Sequence, residues 1–419
     1  MNLLEAFHRC VVEHPHRPAL IDPEGRRWTY SQLSQRSQEL AARFAQQGLT
    51  RGDRVLLALG LDAELYAALA ALWRIGAVAV LPEPALGLAG IWRAAELTAP
   101  RAVLLAGPYR LLPLLIAPLR QLVQLRLRAG SGPVPAVADL RSDDPALISF
   151  TTGSTGLPKA IMRSHGFMLA QNAAVAPLIG TGGQHETDLV GFPVFVIANL
   201  GQGITSVLPD WPVRRMDKAS GQGIARLIAR HGVTRLLLNP ALVERLAQIG
   251  IPAQVHSVFT GGGPVFGDLI RKIMAGRPGL RLVLAYGSTE AEPIADIDAR
   301  TITEADYAAM AGGQGLLAGC PLSACALPVT RCKWLAGMSC RAISIRRAMP
   351  KPSCATPTER YGTARVTQAV STSRGGYGCS AGWAAKSAAC GHSRWKRRRV
   401  AGPASIVPHS PNGADSRRS

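Results

Sequence analysis

The run Thr151-Thr152-Gly153-Ser154-Thr155-Gly156-Leu157-Pro158-Lys159 has the residue types a phosphate group needs. Its glycines let backbone N–H groups approach closely. Its hydroxyls donate to phosphate oxygens, and Lys159 adds a point charge. The spacing is not that of a Walker loop, which requires Gly-Lys-Ser/Thr at its end. A flexible surface turn has the same composition, so this run alone leaves both readings open. Two further polar runs stand downstream: Gly261-Gly262-Gly263-Pro264 and Tyr286-Gly287-Ser288-Thr289-Glu290. Taken alone, a glutamate at a strand end such as Glu290 is more often a solvated loop residue than a ligand.

The elements around these runs follow an α/β grammar. Leu33, Ser37, Leu40, Ala41 and Phe44 recur at helical spacing ahead of Gly48, which suits a helix end. Val55 to Leu59 is a short apolar strand. Asp62 is suited to N-cap a helix running to Trp73 and Arg74 and stopping at Gly76. Further strands are predicted at Val78–Leu81, Leu147–Phe150, Leu236–Leu238, Val255–Phe259 and Leu282–Ala285, with a helix over Gly223–His231. Strands alternating with helices predict largely parallel sheets covered on both faces, with ligands beyond the carboxyl ends of the strands. All three polar runs fall at such ends. Leu111 to Leu119 is the most apolar stretch. It is shorter than the ~20 residues of a membrane span, holds two prolines and reads as buried core. With no basic-then-apolar leader at Met1–Cys10, the chain reads as soluble and cytoplasmic.

Taken in order, these motifs resemble those of the AMP-forming acyl-adenylate ligase family, which includes acyl-CoA synthetases and peptide-synthetase adenylation domains. Trp28-Thr29-Tyr30-Ser31-Gln32-Leu33 resembles the family's early Thr-Tyr-x-x-Leu motif. Ala71 to Pro84, with Gly76-Ala77 and Pro82, resembles the helix–strand motif that follows it. The phosphate run departs at one position, because Ala160 stands where the family usually has glycine. The resemblance covers about residues 1–319. It implies an α/β N-terminal domain that binds ATP and Mg²⁺. Thr151, Thr152, Gly153, Ser154, Thr155, Gly156 and Lys159 would hold the β- and γ-phosphates. Gly261, Gly262, Gly263, Pro264, Tyr286 and Gly287 would surround the adenine. Thr289 would contact the α-phosphate, and Glu290 would hold the metal. Phe195, in Phe192-Pro193-Val194-Phe195, is the candidate for the acyl pocket, with ordinary core packing as the competing role. His165 is taken as structural. The implied substrate is a carboxylic acid, fatty acyl by the aromatic and leucine content, with CoA as a possible acceptor. The Glu290-Ala291-Glu292-Pro293-Ile294-Ala295 run also resembles the branch that makes β-lactones from β-hydroxy acids.

The net charge of +20 invites a nucleic-acid reading, but it is unevenly placed. Residues 311–419 carry 17 of the 47 basic groups and only two of the 27 acidic ones, Glu359 and Asp415. The first 310 residues, with 30 basic and 25 acidic groups, are close to neutral. Cysteine divides the same way. Cys10 stands alone in the body, and the other seven lie between Cys320 and Cys390, without a Cys-x-x-Cys pair. This argues against zinc or a disulfide framework.

After Gly319 the helix and strand periods stop, and low periodicity with high charge predicts disorder over 319–419. The resemblance implies a ribose-binding Thr-Gly-Asp-like motif, a Gly-Arg hinge and a late catalytic lysine in this region. None is found. A frameshift near Gly319 explains both absence and composition. Asp and Glu codons need GA in their first two positions, and out-of-phase GC-rich codons yield Arg, Ala, Gly, Pro, Ser and Cys.

Back-translating Arg360–Gln368 in the neighbouring frame allows Val-Trp-His-Arg-Ala-Gly-Asp-Ala. Val370–Gly382 allows Ile-Asp-Glu-Gln-Gly-Arg-Leu-Trp-Leu-Leu-Gly-Arg. These resemble the missing ribose motif and hinge, in family order. On this reading Lys396-Arg397-Arg398-Arg399 is accidental, no nucleic-acid partner is expected, and catalysis is impaired. Three functions are thus weighed: an active adenylating ligase, a non-catalytic remnant of one, and a basic nucleic-acid binder.

Overall fold

The computed structural model describes residues 1–321, apart from 83–86, 131, 153–157, 289–290 and 314. The expected tail beyond 321 lies outside the described residues. Along the chain run α1 (Leu4–Glu13), β1 (Pro18–Ile21), β2 (Arg27–Thr29), α2 (Tyr30–Gln46), β3 (Arg54–Ala58), α3 (Ala63–Ile75), β4 (Val78–Leu81), α4 (Gly87–Thr98), β5 (Ala102–Leu105), α5 (Leu112–Leu115), β6 (Val123–Leu125), β7 (Pro145–Thr152), β8 (Pro158–Ser164), α6 (His165–Ile179), β9 (Thr187–Val190), α7 (Pro193–Leu200), β10 (Thr205–Val207), α8 (Gly221–His231), β11 (Arg235–Leu238), α9 (Pro240–Ile249), β12 (Ser257–Gly261), α10 (Gly267–Gly276), β13 (Arg281–Ser288), β14 (Ala291–Asp298), α11 (Glu304–Ala311) and β15 (Cys320–Pro321).

The strands form a six-stranded sheet, β6-β5-β3-β4-β7-β8, and a nine-stranded sheet, β15-β14-β13-β12-β11-β9-β10-β1-β2. Each has a parallel centre and antiparallel edges: β8 on the first, and β2, β14 and β15 on the second. Alternation along the strands divides the core. Val55 and Leu57 of β3 face the inter-sheet cluster, whereas Leu56 and Ala58 face the cluster with α4. In the larger sheet Val190, Leu237, Phe259 and Val283 point to the same inter-sheet cluster. Leu189, Leu236, Val258 and Leu282 point outward to α8, α9 and α10. The two sheets therefore sandwich α1, α2, α3, α6 and α7, and further helices cover their outer faces.

Local signals fix several boundaries. Thr29 and Gln32 close a capping box at the start of α2, and Leu33, Ser37, Leu40, Ala41 and Phe44 are its buried stripe. Asp62 accepts the Leu65 N–H at 3.2 Å, and Gly76 ends α3 at φ +81°. The expectation for Leu111–Leu119 needs correction. Leu112, Ile116 and Leu119 are buried, but Leu111, Leu114 and Leu115 are 60–70% exposed. The stretch is not one helix: a four-residue helix lies between two 3-10 turns, so only one side of it meets the sheet. No described helix is long and apolar enough to cross a membrane.

Candidate functional site

The phosphate-type run straddles a hairpin rather than a strand-to-helix turn. β7 extends through Thr152, and β8 returns antiparallel from Pro158, with Thr151 opposite Lys159 and Thr152 opposite Pro158. Lys159 is exposed. Gly153, Ser154, Thr155 and Gly156 lie outside the described residues. Ala160 sits within β8 opposite Phe150. Ala160 does not take a positive φ, so its backbone does not call for glycine.

The other two runs meet on the larger sheet. β12 ends at Gly261, in register with Ala285 of β13. A Cβ on Gly261 would strike the Ala285 carbonyl oxygen, so only glycine lets these strands pair here. Gly262 follows at φ +69°, and a Cβ there would sit 3.1 Å from the Phe192 ring. Tyr286 and Gly287 belong to β13, which turns back into β14. Thr289 and Glu290, next along the chain, lie outside the described residues. Among the described residues no group of three or more His, Cys, Asp or Glu could hold a metal ion.

Two clefts open on either side of this wall. One, of ≈ 480 Å³, has Gly262, Gly263 and Pro264 on one side, Tyr286 and Gly287 on the other, and Leu316 and Leu317 beside them. The two glycine runs expected around a nucleotide base therefore line one cleft. The second, of ≈ 540 Å³, is mostly apolar. Val175 and Ile179 come from α6, Phe192 and Phe195 from the start of α7, and Leu237 and Phe259 from the sheet. Phe192 and Phe195 meet edge to face, with ring centroids 5.9 Å apart. Gly262, Ala285, Tyr286 and Gly287 border both clefts.

Polar groups missed in the sequence also border the second cleft. Thr260 borders it at 1% exposure, with its side chain on the strand face opposite Phe259, and its hydroxyl has no hydrogen-bond partner among the described residues. Glu292 lines it from β14 and accepts the Gln171 amide at 3.4 Å. Burial pushes the Glu292 carboxyl up, opposed by the Arg163 guanidinium. A signal for Gln171 was present: Met168, Gln171, Val175 and Ile179 share the buried stripe of α6, an unusual place for an amide. His165 lines neither cleft. It is fully buried, its Nδ1 accepts the Leu3 N–H at 3.2 Å, and burial lowers its pKa to about 4.

Paired glycine runs on the wall between two clefts of an α/β domain have the form of a nucleotide site. A sequence profile of the AMP-binding enzyme family matches residues 7–323, and the chain belongs to that family. It is 30% identical over 348 residues to olefin beta-lactone synthetase of Xanthomonas campestris pv. campestris, covering 76% of this chain and 62% of that one. It is 31% identical over 310 residues to the same-named protein of Stenotrophomonas maltophilia, covering 69% and 55%. The chain thus spans only a little over half the length of these relatives. O-succinylbenzoate coenzyme A synthetase from Bacillus subtilis, solved in complex with ATP and magnesium ion, superposes with a TM-score of 0.62 at 20% identity, over 75% of this chain and 64% of that one. At that identity the likeness speaks for the fold alone.

Proposed function

We propose that this domain descends from an enzyme that activates a fatty-type carboxylate with ATP, giving an acyl adenylate and pyrophosphate. The observation that carries the reading is the wall of Gly262, Tyr286 and Gly287 shared by a base-sized cleft and an apolar cleft. A carboxyl group held at that wall has its chain among Phe192, Phe195 and Phe259 and its nucleotide partner on the other side. The carboxylate oxygen attacks the α-phosphorus, the bond to the β-phosphate bridging oxygen breaks, and pyrophosphate leaves with the electron pair. Charge builds on phosphate oxygens in that step, so the hydroxyls, the N–H groups and Lys159 of the hairpin are the groups that would stabilise it. Mg²⁺, held by Glu290, would supply further neutralisation when bound.

The adenylate then passes to a CoA thiol or is closed by a hydroxyl of its own chain. The lactone route is favoured by the two relatives near 30% identity. In the 419-residue chain we propose that turnover is impaired, because residues 319–419 supply no ribose clamp, hinge or late lysine in the frame as read. Fatty-acid-dependent exchange of labelled pyrophosphate into ATP tests both parts. The chain as it stands is expected to show almost none, and a frame-restored chain to show it. Robust exchange by the chain as it stands would sink the impairment. None by the restored chain would sink the adenylation reading.

A further inference from the structure

We propose that the outer face of the six-stranded sheet carries a docking surface for an anionic phospholipid bilayer, built by α4 and residues 111–115. It stands apart from both clefts and is independent of the adenylation reading. On their inner sides the two segments share one cluster: Ile91 and Ala94 of α4 pack with Leu112, Ile116 and Leu119 over the sheet. They are neighbours, because α4 rests on the 3-10 turn Ala117–Gln121. On their outer sides apolar groups stand bare. Leu111, Leu114 and Leu115 are 60–70% exposed, and Leu88 and Trp92, one helical turn apart on α4, are 51% and 44% exposed. Side chains so exposed project from the surface instead of lining a groove, which suits insertion into a soft layer. Single exposed apolar residues are ordinary, but five on two adjoining segments point to a partner.

Charge and backbone chemistry choose that partner. Residues 87–128 hold six arginines, no lysine and one carboxylate, Glu96. The first 310 residues hold 30 basic and 25 acidic groups, so this strip carries the whole excess. Arg93 takes up Glu96 at 2.6 Å, and neither Arg110 nor Arg120 has a carboxylate partner among the described residues. Arginines beside bare leucines and a tryptophan complement an anionic membrane surface. The backbone agrees. Arg120 donates to the Pro113 carbonyl at 2.7 Å and to the Leu114 carbonyl at 2.8 Å, and the Leu112 carbonyl accepts the Ile116 N–H at 2.7 Å. Carbonyls beside the bare leucines are thus satisfied within the protein, which water would make unnecessary and a lipid layer demands. Charge also argues against two other occupants. A second copy would set one basic strip on another. The chain beyond residue 321 carries 17 basic groups and two acidic ones, and it leaves from β15 at the edge of the other sheet.

The test is vesicle flotation of the 419-residue chain, in which aggregates sink and bound protein rises with the lipid. Vesicles of phosphatidylcholine mixed with phosphatidylglycerol are compared with phosphatidylcholine alone. Both are run in dilute buffer and in about 0.5 M salt, which shortens the screening length to a few ångströms and suppresses attraction by the basic segment beyond 321. The chain is expected to float with the mixed vesicles and to keep part of that binding in salt. Leu111→Ser/Leu114→Ser/Leu115→Ser should lower the partition coefficient about tenfold in both buffers, because apolar burial is not screened. Arg110→Gln should lower it about fivefold, in dilute buffer only. Leu114→Ser, a single change at the most exposed of the three leucines, should lower it about threefold and serves if the triple variant does not fold. A natural chain that does not float, or leucine variants that float as well as it does, overturns the proposal. Binding lost with Arg110→Gln but kept by the leucine variants overturns it too, and marks the strip as a surface for an acidic macromolecule.

Discussion

At the scale of single residues, the histidine after the phosphate hairpin carries a measurable consequence. His165 is fully buried, Leu3 donates to its Nδ1, and its Nε2 has no partner among the described residues. Burial lowers its pKa from 6.5 to about 4, against a modest opposing pull from Asp144. A folded-state pKa below the unfolded one means that the unfolded chain binds the proton first as pH falls. Stability is therefore full above pH 6.5 and is lost as pH drops toward 4, by about 2 kcal/mol between pH 7 and 5. Urea midpoints should fall over that interval in the natural chain and much less in His165→Gln. A midpoint that holds steady from pH 7 to 5 would contradict the assignment. Residues of this kind divide by legibility. Gly261, Gly262 and Tyr286 were readable because a motif fixes them locally. The pairing of Gln171 with Glu292 was not, because a helix face and a strand bring the two together from distant segments.

At the scale of elements, the parallel centre of each sheet was legible from short apolar runs between helices. The antiparallel returns β8 and β14 were not. Pro158–Ser164 holds two basic residues and little apolar alternation, and its strand character comes from pairing with β7. Another hidden feature is the tie between β9 and β11. Arg235, 2% exposed, stands in register with Asp188, fully buried, and its guanidinium donates to both carboxylate oxygens at 2.7 and 2.9 Å. Asn199 of α7 also donates to Asp188 at 3.0 Å, so the pair links the sheet to the helix that carries Phe195. Removing one partner strands a buried charge. Arg235→Leu should cost about 3–5 kcal/mol in chemical denaturation. Lysine should not restore it, because it lacks the two-pronged fork. A loss below ~1 kcal/mol would mean that Asp188 finds other compensation, by protonation or water. Gly261→Ala is a second element-scale test. The Cβ would drive β12 from β13 at the wall between the clefts, so both stability and adenosine-probe affinity should fall.

At the scale of the whole molecule, the division of charge and cysteine within one chain is the fact to be explained. A near-neutral body of 310 residues is followed by a segment almost without carboxylates. The family match ends at residue 323, close to where the composition changes near Gly319. The change of reading frame we propose would account for both, and it makes a sharp prediction about nucleic acid. Most of the +20 charge would be a by-product of out-of-phase codons. Binding to duplex DNA should then be weak, salt-sensitive and lost when 311–419 is removed. Binding that survives that deletion would return the charge to function, since the remaining body is close to neutral.

The same reasoning predicts the behaviour of the restored protein. A single-base correction in the codons for Gly315–Cys320 should replace Arg- and Cys-rich sequence with the Gly-Asp and Gly-Arg motifs read in the neighbouring frame. It should also restore the part of the family fold that packs beyond residue 321. Without that part, apolar surface of the body is expected to lie bare, and such surface drives association. The 419-residue chain should therefore elute as aggregates on size exclusion. The corrected chain should elute as a discrete species, unfold cooperatively and gain pyrophosphate exchange. A monodisperse, cooperatively folding 419-residue protein would instead mark residues 319–419 as a native partner of the body.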